Sequence, residues 1–188
     1  MSHQRKSKIV TPKDEWGTPQ WLFDLLDQEF HFGCDAAADW KNSKCFHLFS
    51  ERQSNALERD WFSEKTTELW NNVFYLNPPY SAGNIDKFMA KALEESKKGA
   101  VVVCLVPCAT DTRWWYNYAM KAQEIRFIKG RVRFVGYDEE GKQIANSPTF
   151  SSCVVIFRKE NAMQFLSHPY GPVIGPTIEQ PKKAGVPV

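Results

Sequence analysis

Residues 73–106 read VFYLNPPYSAGNIDKFMAKALEESKKGAVVVCLV, and this stretch decides the class of fold. The apolar run at 73–76 and the β-branched run at 100–106 have the composition of buried strands. Between them, apolar residues recur at helical spacing, at positions 85, 88, 89, 92 and 93. This spacing predicts an amphipathic helix that Asn84 caps and Gly99 closes. A strand, a helix and a second strand in this order predict parallel strands joined by a crossover helix.

The same alternation continues along the chain. One further helix is expected after Thr18, with Thr18 as its N-cap and Pro19 in its first turn, and another after Asp111. A turn is expected at 138–141. Further strands are predicted near 30–35 and at 124–128, 131–135 and 153–157. We therefore predict an α/β fold with helices on both faces of a sheet and one antiparallel edge strand.

Length and composition favour a single soluble globular domain. The chain has 188 residues, of which 43% are hydrophobic and 24% charged, with a net charge of +2. We expect the folded domain at 14–168, a polar arm at 1–13 and a flexible Pro/Gly-rich tail at 169–188. The charge is compatible with nucleic-acid binding but does not by itself indicate it.

Several classes of protein and site are not expected. The longest apolar run, 100–106, falls far below the ~20 residues that span a bilayer. The polar, basic start does not resemble a secretory signal, so a cytoplasmic location is expected. The five cysteines are odd in number and form no Cys-x-x-Cys pair, and the four histidines lack metal-ligand spacing. No metal site is therefore predicted.

Polar groups follow two of the predicted strands. Ligands of open α/β sheets bind at the carboxyl ends of strands, where Asp35 and the sequence Asn77-Pro78-Pro79-Tyr80 are expected. The amide oxygen of Asn77 and the carbonyl of Pro78 offer two acceptors on a stiff loop for one planar amino group. Tyr80 offers a ring to stack on an attached heterocycle. This loop suits an amino group whose nitrogen attacks an electrophile.

The strand followed by Asn-Pro-Pro-Tyr resembles the catalytic signature of amino-methyltransferases that use S-adenosylmethionine. The wider pattern resembles the phage-type, Dam-like DNA N6-adenine methyltransferases. The similarity spans roughly residues 14–158, and its segments are 16–19, 22–23, 34–38, 42–45, 77–80, 106–107, 110–112 and 130–134. It implies a Rossmann-like, S-adenosylmethionine-dependent methyltransferase fold with a mostly parallel seven-stranded sheet. Its implied catalytic residues are Asn77, Pro78, Pro79 and Tyr80.

The resemblance also implies contacts to the cofactor. Asp35, with Ala36 beside it, would receive the ammonium group of S-adenosylmethionine. Asn77 would lie next to the cofactor's methyl group, as well as holding the target. Further contacts are implied for Thr18 and Pro19 at the methionine part, Glu51 at the ribose hydroxyls, and Asp60 at the adenine amino group.

The implied substrate is double-stranded DNA, with a short GATC-like site suggested by the resemblance alone. The target adenine cannot be reached inside a duplex, so base flipping is expected. Tyr80 and Phe134 would hold the flipped base between them. Arg131 and Arg133 would share one face of a strand and contact phosphates.

Two other functions fit the same residues. Asn-Pro-Pro-Tyr alone does not distinguish DNA adenine from an RNA base or a protein glutamine amide. A non-catalytic nucleic-acid-binding module with this fold is the alternative from a different class. Binding of S-adenosylmethionine and the destination of its methyl group separate these possibilities.

Overall fold

The computed structural model describes residues 14, 16–49, 56–62, 71–81, 83–138, 140–159 and 172–181. The helices in these ranges are α1 (Gln20–Phe30), α2 (Asn84–Lys98) and α3 (Arg113–Asn117), and a 3₁₀ turn spans Ala119–Lys121. The strands are β1 (Cys34–Asp35), β2 (His47–Leu48), β3 (Val73–Leu76), β4 (Val101–Pro107), β5 (Glu124–Phe127), β6 (Phe134–Tyr137), β7 (Gln143–Asn146), β8 (Ser152–Phe157) and β9 (Val173–Ile174). None of the described helices is both long enough and apolar enough to cross a membrane.

Seven strands form one mixed sheet in the order β2-β1-β3-β4-β8-β5-β9. The pairs β1–β2, β1–β3, β3–β4 and β5–β9 are parallel. Strands β6 and β7 form a separate antiparallel hairpin. The predictions of an α/β fold and a mostly parallel seven-stranded sheet are therefore confirmed.

The antiparallel strand does not lie at the edge of the sheet, and that part of the fold prediction is wrong. Strand β8 lies between β4 and β5 and runs antiparallel to both. All six of its residues are buried. A continuous apolar run such as Cys153–Phe157 fits this interior position, because an interior strand is covered on both faces.

Strand β4 supplies alternate residues to two separate core clusters, because successive side chains of a strand point to opposite faces. Val102, Cys104 and Val106 belong to a cluster that includes α2 and α3. Val103 and Leu105 belong to a second cluster that includes α1. Burial of each such side chain contributes roughly 1.5–3 kcal/mol, so this strand anchors both layers of the core.

Three element boundaries differ from the sequence predictions. Helix α1 begins at Gln20 with Pro19 as its N-cap, and Thr18 makes no capping hydrogen bond. Gly83, with φ of 84°, is the N-cap of α2, while the side chain of Asn84 donates to Ser81 Oγ instead. Residues 131–133 precede β6 rather than belonging to it. At Thr18 a tertiary contact replaces the expected cap, because its hydroxyl is paired with that of Tyr75.

The described part of the expected tail, 172–181, is packed against the sheet. Val173 and Ile174 form β9, which pairs with β5, and Ile178 is only 6% exposed. Prolines are compatible with this position because β9 is an edge strand, where one row of backbone groups has no partner.

Candidate active site

A small cavity lies at the carboxyl ends of β1 and β3. Strand β1 lies between β2 and β3, and all three strands are parallel. The order of the strands therefore extends from β1 in both directions, and β1 and β3 flank the point where it changes direction. Such reversal points are where open α/β sheets bind ligands. The lining residues are Gly17, Thr18, Asp35, Ala37, Ala38, Asn42, Lys44, Tyr75 and Asn77. The structure therefore brings together Asp35, Asn77 and Thr18, as the sequence predicted.

Asp35 is a buried carboxyl group at the end of β1, with 3% of its surface exposed. Its oxygens accept hydrogen bonds from the backbone N–H of Lys44 at 3.0 Å and of Ala37 at 3.4 Å. In the described residues no side-chain cation forms an ion pair with it. Burial raises the pKa of Asp35 to about 6, and the two backbone hydrogen bonds only partly offset this effect. The cavity thus contains a carboxylate that a cationic ligand would stabilise.

Residues 16–18 cross the ends of the strands. Gly17 exchanges two backbone hydrogen bonds with Val135 of β6, at 2.8 and 2.9 Å. The hydroxyl group of Thr18 lies 2.6 Å from that of Tyr75, and both residues are buried. The carbonyl of Trp16 accepts a hydrogen bond from Asn77 Nδ2 at 3.0 Å. This segment therefore fixes one wall of the cavity, and Thr18 acts through Tyr75 rather than as a helix cap.

The side chain of Asn77 is held at both ends. Its Nδ2 donates to Trp16, and its Oδ1 accepts a hydrogen bond from the Tyr80 hydroxyl at 2.7 Å. An amide oxygen has two acceptor positions, so one remains. Pro78 is buried and Pro79 half-buried, and no donor in the described chain is bonded to the Pro78 carbonyl. Two acceptors are thus present on one stiff loop.

Tyr80 links the loop Asn77–Tyr80 to the core. Its hydroxyl is also 3.0 Å from the carbonyl of Leu105 on β4. Its half-buried ring makes T-shaped contacts with Phe134 and Phe150, at centroid distances of 6.1 and 5.5 Å. Burial raises the pKa of Tyr80 well above its ordinary value, so the hydroxyl stays protonated. Because Phe134 touches Tyr80 and is 1% exposed, the two rings leave no space for a base between them here.

One acidic residue assigned to the cofactor, Asp60, does not lie at this cavity. Asp60 forms a 2.6 Å ion pair with Lys98, the last residue of α2. Lys98 is followed by the amino end of β4, whereas Asn77 follows the carboxyl end of β3. Asp60 and Asn77 therefore lie at opposite ends of the strands. Glu51 lies outside the described residues. Ala36, buried at the end of β1, adjoins the cavity, and its N–H bonds to the Tyr75 carbonyl at 2.8 Å.

Arg131 and Arg133 lie on one exposed face. Exposure alternates over 131–134, with Val132 and Phe134 buried between the arginines, so the expected common face is present although the segment is not a strand. Each guanidinium donates one hydrogen bond to the hairpin region, Arg131 to Pro148 and Arg133 to Ala145. Neither arginine forms an ion pair within the described residues.

The sequence analysis gave no role to Asn42 or Lys44, although both line the cavity. Lys44 is half-buried, and its ammonium donates to Gln20 Oε1 at 2.9 Å. Asn42 holds its loop by accepting from the Asp39 N–H at 2.7 Å. Both residues belong to segment 42–45, which resembles the methyltransferase family. The spacing of residues in the sequence does not show that this loop folds back on Asp35.

No match is found among the curated proteins. Residues 5–171 match the family model described as DNA N-6-adenine-methyltransferase (Dam). This match includes β1, the loop Asn77–Tyr80, and Arg131 and Arg133. The chain belongs to the DNA N-6-adenine-methyltransferase (Dam) family.

Proposed function

We propose that this chain transfers the methyl group of S-adenosylmethionine to N6 of an adenine extruded from double-stranded DNA. The observation that carries this proposal is the presence of the buried Asp35 and of Asn77 in one cavity, at adjacent strand ends. One group suits a cation and the other an amino group. Family membership supplies the class of reaction.

Asp35 is proposed to bind the ammonium group of the cofactor. A buried carboxylate with only backbone donors gains most from a charged partner, since its desolvation is then offset. The cavity that holds this carboxylate is small, and we place only the amino-acid end of the cofactor in it. Thr18, Pro19 and Ala36 would form its walls.

Asn77 and Pro78 are proposed to hold the adenine amino group. The second acceptor position of Asn77 Oδ1 and the carbonyl of Pro78 would each accept one N–H. Both dipoles stabilise positive charge that develops on N6 as the N–CH₃ bond forms and the S–CH₃ bond breaks. The sulfonium of the cofactor activates its own methyl group. The proton released from N6 passes to water.

Tyr80 is proposed to stack on the extruded base while its hydroxyl keeps Asn77 in place. Stacking on an aromatic ring contributes roughly 1–3 kcal/mol, which partly offsets the few kcal/mol that extrusion costs. Phe134 and Phe150 contact the Tyr80 ring in T-shaped arrangements. We therefore assign Phe134 to positioning Tyr80.

The experiment supplies S-adenosylmethionine with a labelled methyl group to the full chain, with unmethylated duplex DNA, RNA or a protein fraction in separate reactions. The proposal expects label in DNA, recovered as N6-methyladenine after digestion. Duplexes with and without GATC test the suggested site. Label found only in RNA or in protein would reassign the substrate, and no cofactor binding at all would favour a non-catalytic binding module.

A further inference from the structure

The C-terminal strap, defined as residues 172–181, follows the segment that matches the family model, which ends at residue 171. It runs parallel to β5 and adds an edge strand to the sheet. Its backbone hydrogen bonds measure 2.9–3.0 Å, and they join Val173 to Gln123, Gly175 to Ile125, and Ile178 to both Phe127 and Lys129. The strap is thus bonded to the sheet along its length.

Two contacts make this docking specific. Ile178 is 6% exposed and belongs to the core cluster that also contains Phe134. Gly175 lies directly over the Glu124 side chain, where an added Cβ would overlap Oε1. A larger residue at this position would have to displace a carboxylate that is ion-paired with Arg126. The strap is therefore fitted to this surface.

Gln180 is hydrogen-bonded to the turn at residues 129–131, which leads into the arginine face, defined as Arg131 and Arg133. Its Nε2 donates to the carbonyls of Lys129 at 2.9 Å and Arg131 at 3.1 Å. Gly130, between them, has φ of 80°, and an added Cβ there would lie 2.9 Å from the same Nε2. One side chain thus holds both sides of a left-handed turn.

This turn determines the backbone direction of residues 131–134. Arg131 and Arg133 project outward, while Val132 and Phe134 are buried, and Phe134 touches Tyr80. The position of the arginines relative to the catalytic loop therefore depends on where the turn at Gly130 is held.

We propose that Gln180 is a positioning residue that aligns Arg131 and Arg133 with the phosphates of bound DNA. This inference rests on the proposed function, because it requires DNA as the substrate. It assigns a role in substrate binding to a segment outside the family match. The two N–H groups of Gln180 carry the effect, and the arginines are the groups through which it acts.

The test compares the full chain with Gln180→Leu, which removes both donors, and Gln180→Lys, whose ammonium can donate to the same carbonyls. Ile174→Ala, an exposed position on the same strap, is the matched control. Affinity for a mixed-sequence DNA duplex is measured from about 50 to 200 mM salt. Cofactor affinity and the thermal transition are measured alongside.

We expect Gln180→Leu to weaken DNA binding about three- to tenfold at low salt and to make the slope of log affinity against log salt shallower by about 1. Gln180→Lys and Ile174→Ala keep a slope at least as steep as that of the native chain. Cofactor affinity stays unchanged in all three. The KM for DNA rises in Gln180→Leu, while kcat at saturating DNA is retained.

A background of Arg131→Ala with Arg133→Ala separates positioning from general destabilisation. If Gln180 acts through the arginines, Gln180→Leu changes DNA affinity less than about twofold in this background. An equal loss in both backgrounds, or native binding by Gln180→Leu, overturns this inference alone. Absence of DNA binding by the native chain overturns the proposed function, and this inference with it.

Discussion

The hydroxyl group of Tyr80 donates a hydrogen bond of 2.7 Å to Oδ1 of Asn77. Because Asn77 Nδ2 is bonded to the Trp16 carbonyl, this amide is fixed in orientation before any substrate arrives. A fixed acceptor costs little reorganisation when charge develops on its ligand. The ring and the hydroxyl of Tyr80 therefore have separable roles.

Tyr80→Phe is expected to lower kcat about five- to tenfold, because a hydrogen bond contributes roughly 1 kcal/mol. Tyr80→Ala is expected to lower kcat further, since the stacking surface is lost as well. Steady-state methylation of DNA measures both, with S-adenosylmethionine affinity as the control that should not change. Equal rates for the two variants would show that the ring does not stack on the target.

Cofactor affinity should depend on the ionisation of Asp35. The pKa of this carboxyl is about 6 in the free protein because it is buried, and only its charged form attracts an ammonium group. Affinity for S-adenosylmethionine should be highest near pH 7 and fall towards tenfold per pH unit below the pKa of Asp35. Calorimetry over this range measures it. In Asp35→Asn the affinity should be low at every pH, and a pH dependence that persists there would assign the titration to another group.

The stability of the unliganded chain should change in the opposite sense. The pKa of Asp35 is higher in the folded chain than its ordinary value of 3.8, so the folded state binds more protons between the two values. The contribution of Asp35 to the free energy of unfolding should therefore fall as the pH rises from about 4 to about 6, by roughly 2–3 kcal/mol. Denaturant unfolding of the native chain and of Asp35→Asn measures the difference. The native chain should show a larger fall than the variant, and identical profiles would contradict the shift.

DNA binding should be salt-dependent through the arginine face. Arg131→Ala with Arg133→Ala should make the slope of log affinity against log salt shallower by about 1 to 2, as one counterion is released for each phosphate contact. The control Lys97→Ala removes an exposed charge in the last turn of α2. This turn lies at the amino ends of the strands, away from the cavity, so the slope should stay unchanged. Equal effects of both changes would indicate a general charge effect.

Local patterns in the sequence sufficed for the central unit of the fold. The residues from Val73 to Pro107 have strong signals of periodicity and composition, and they form β3, α2 and β4 as expected. The meeting of Asp35 with Asn77 was predictable from a general rule, because the carboxyl ends of adjacent parallel strands lie together. Neither inference required knowledge of distant contacts.

Distant contacts explain what the sequence analysis missed. Two-residue strands such as β2 and β9 carry no periodicity, and their pairing partners determine them. Asp60 was predicted to contact the cofactor. It is instead ion-paired with Lys98, which lies at the amino ends of the strands, away from the cavity. The prolines and glycines at 169–188 predicted a flexible tail. Residues 172–181 pack against the sheet instead, and the apolar residues of this segment include Val173, Ile174 and Ile178.

The central claim is that Asn77 acts on the amino group of an adenine and not on the cofactor. The most direct measurement is the amount of N6-methyladenine formed in duplex DNA by the native chain and by Asn77→Ala, with S-adenosylmethionine affinity determined for both. The account predicts that the variant binds the cofactor as the native chain does, yet loses about 100- to 1,000-fold in kcat. Near-native turnover by Asn77→Ala, or a methyl group found anywhere other than adenine N6, would contradict it.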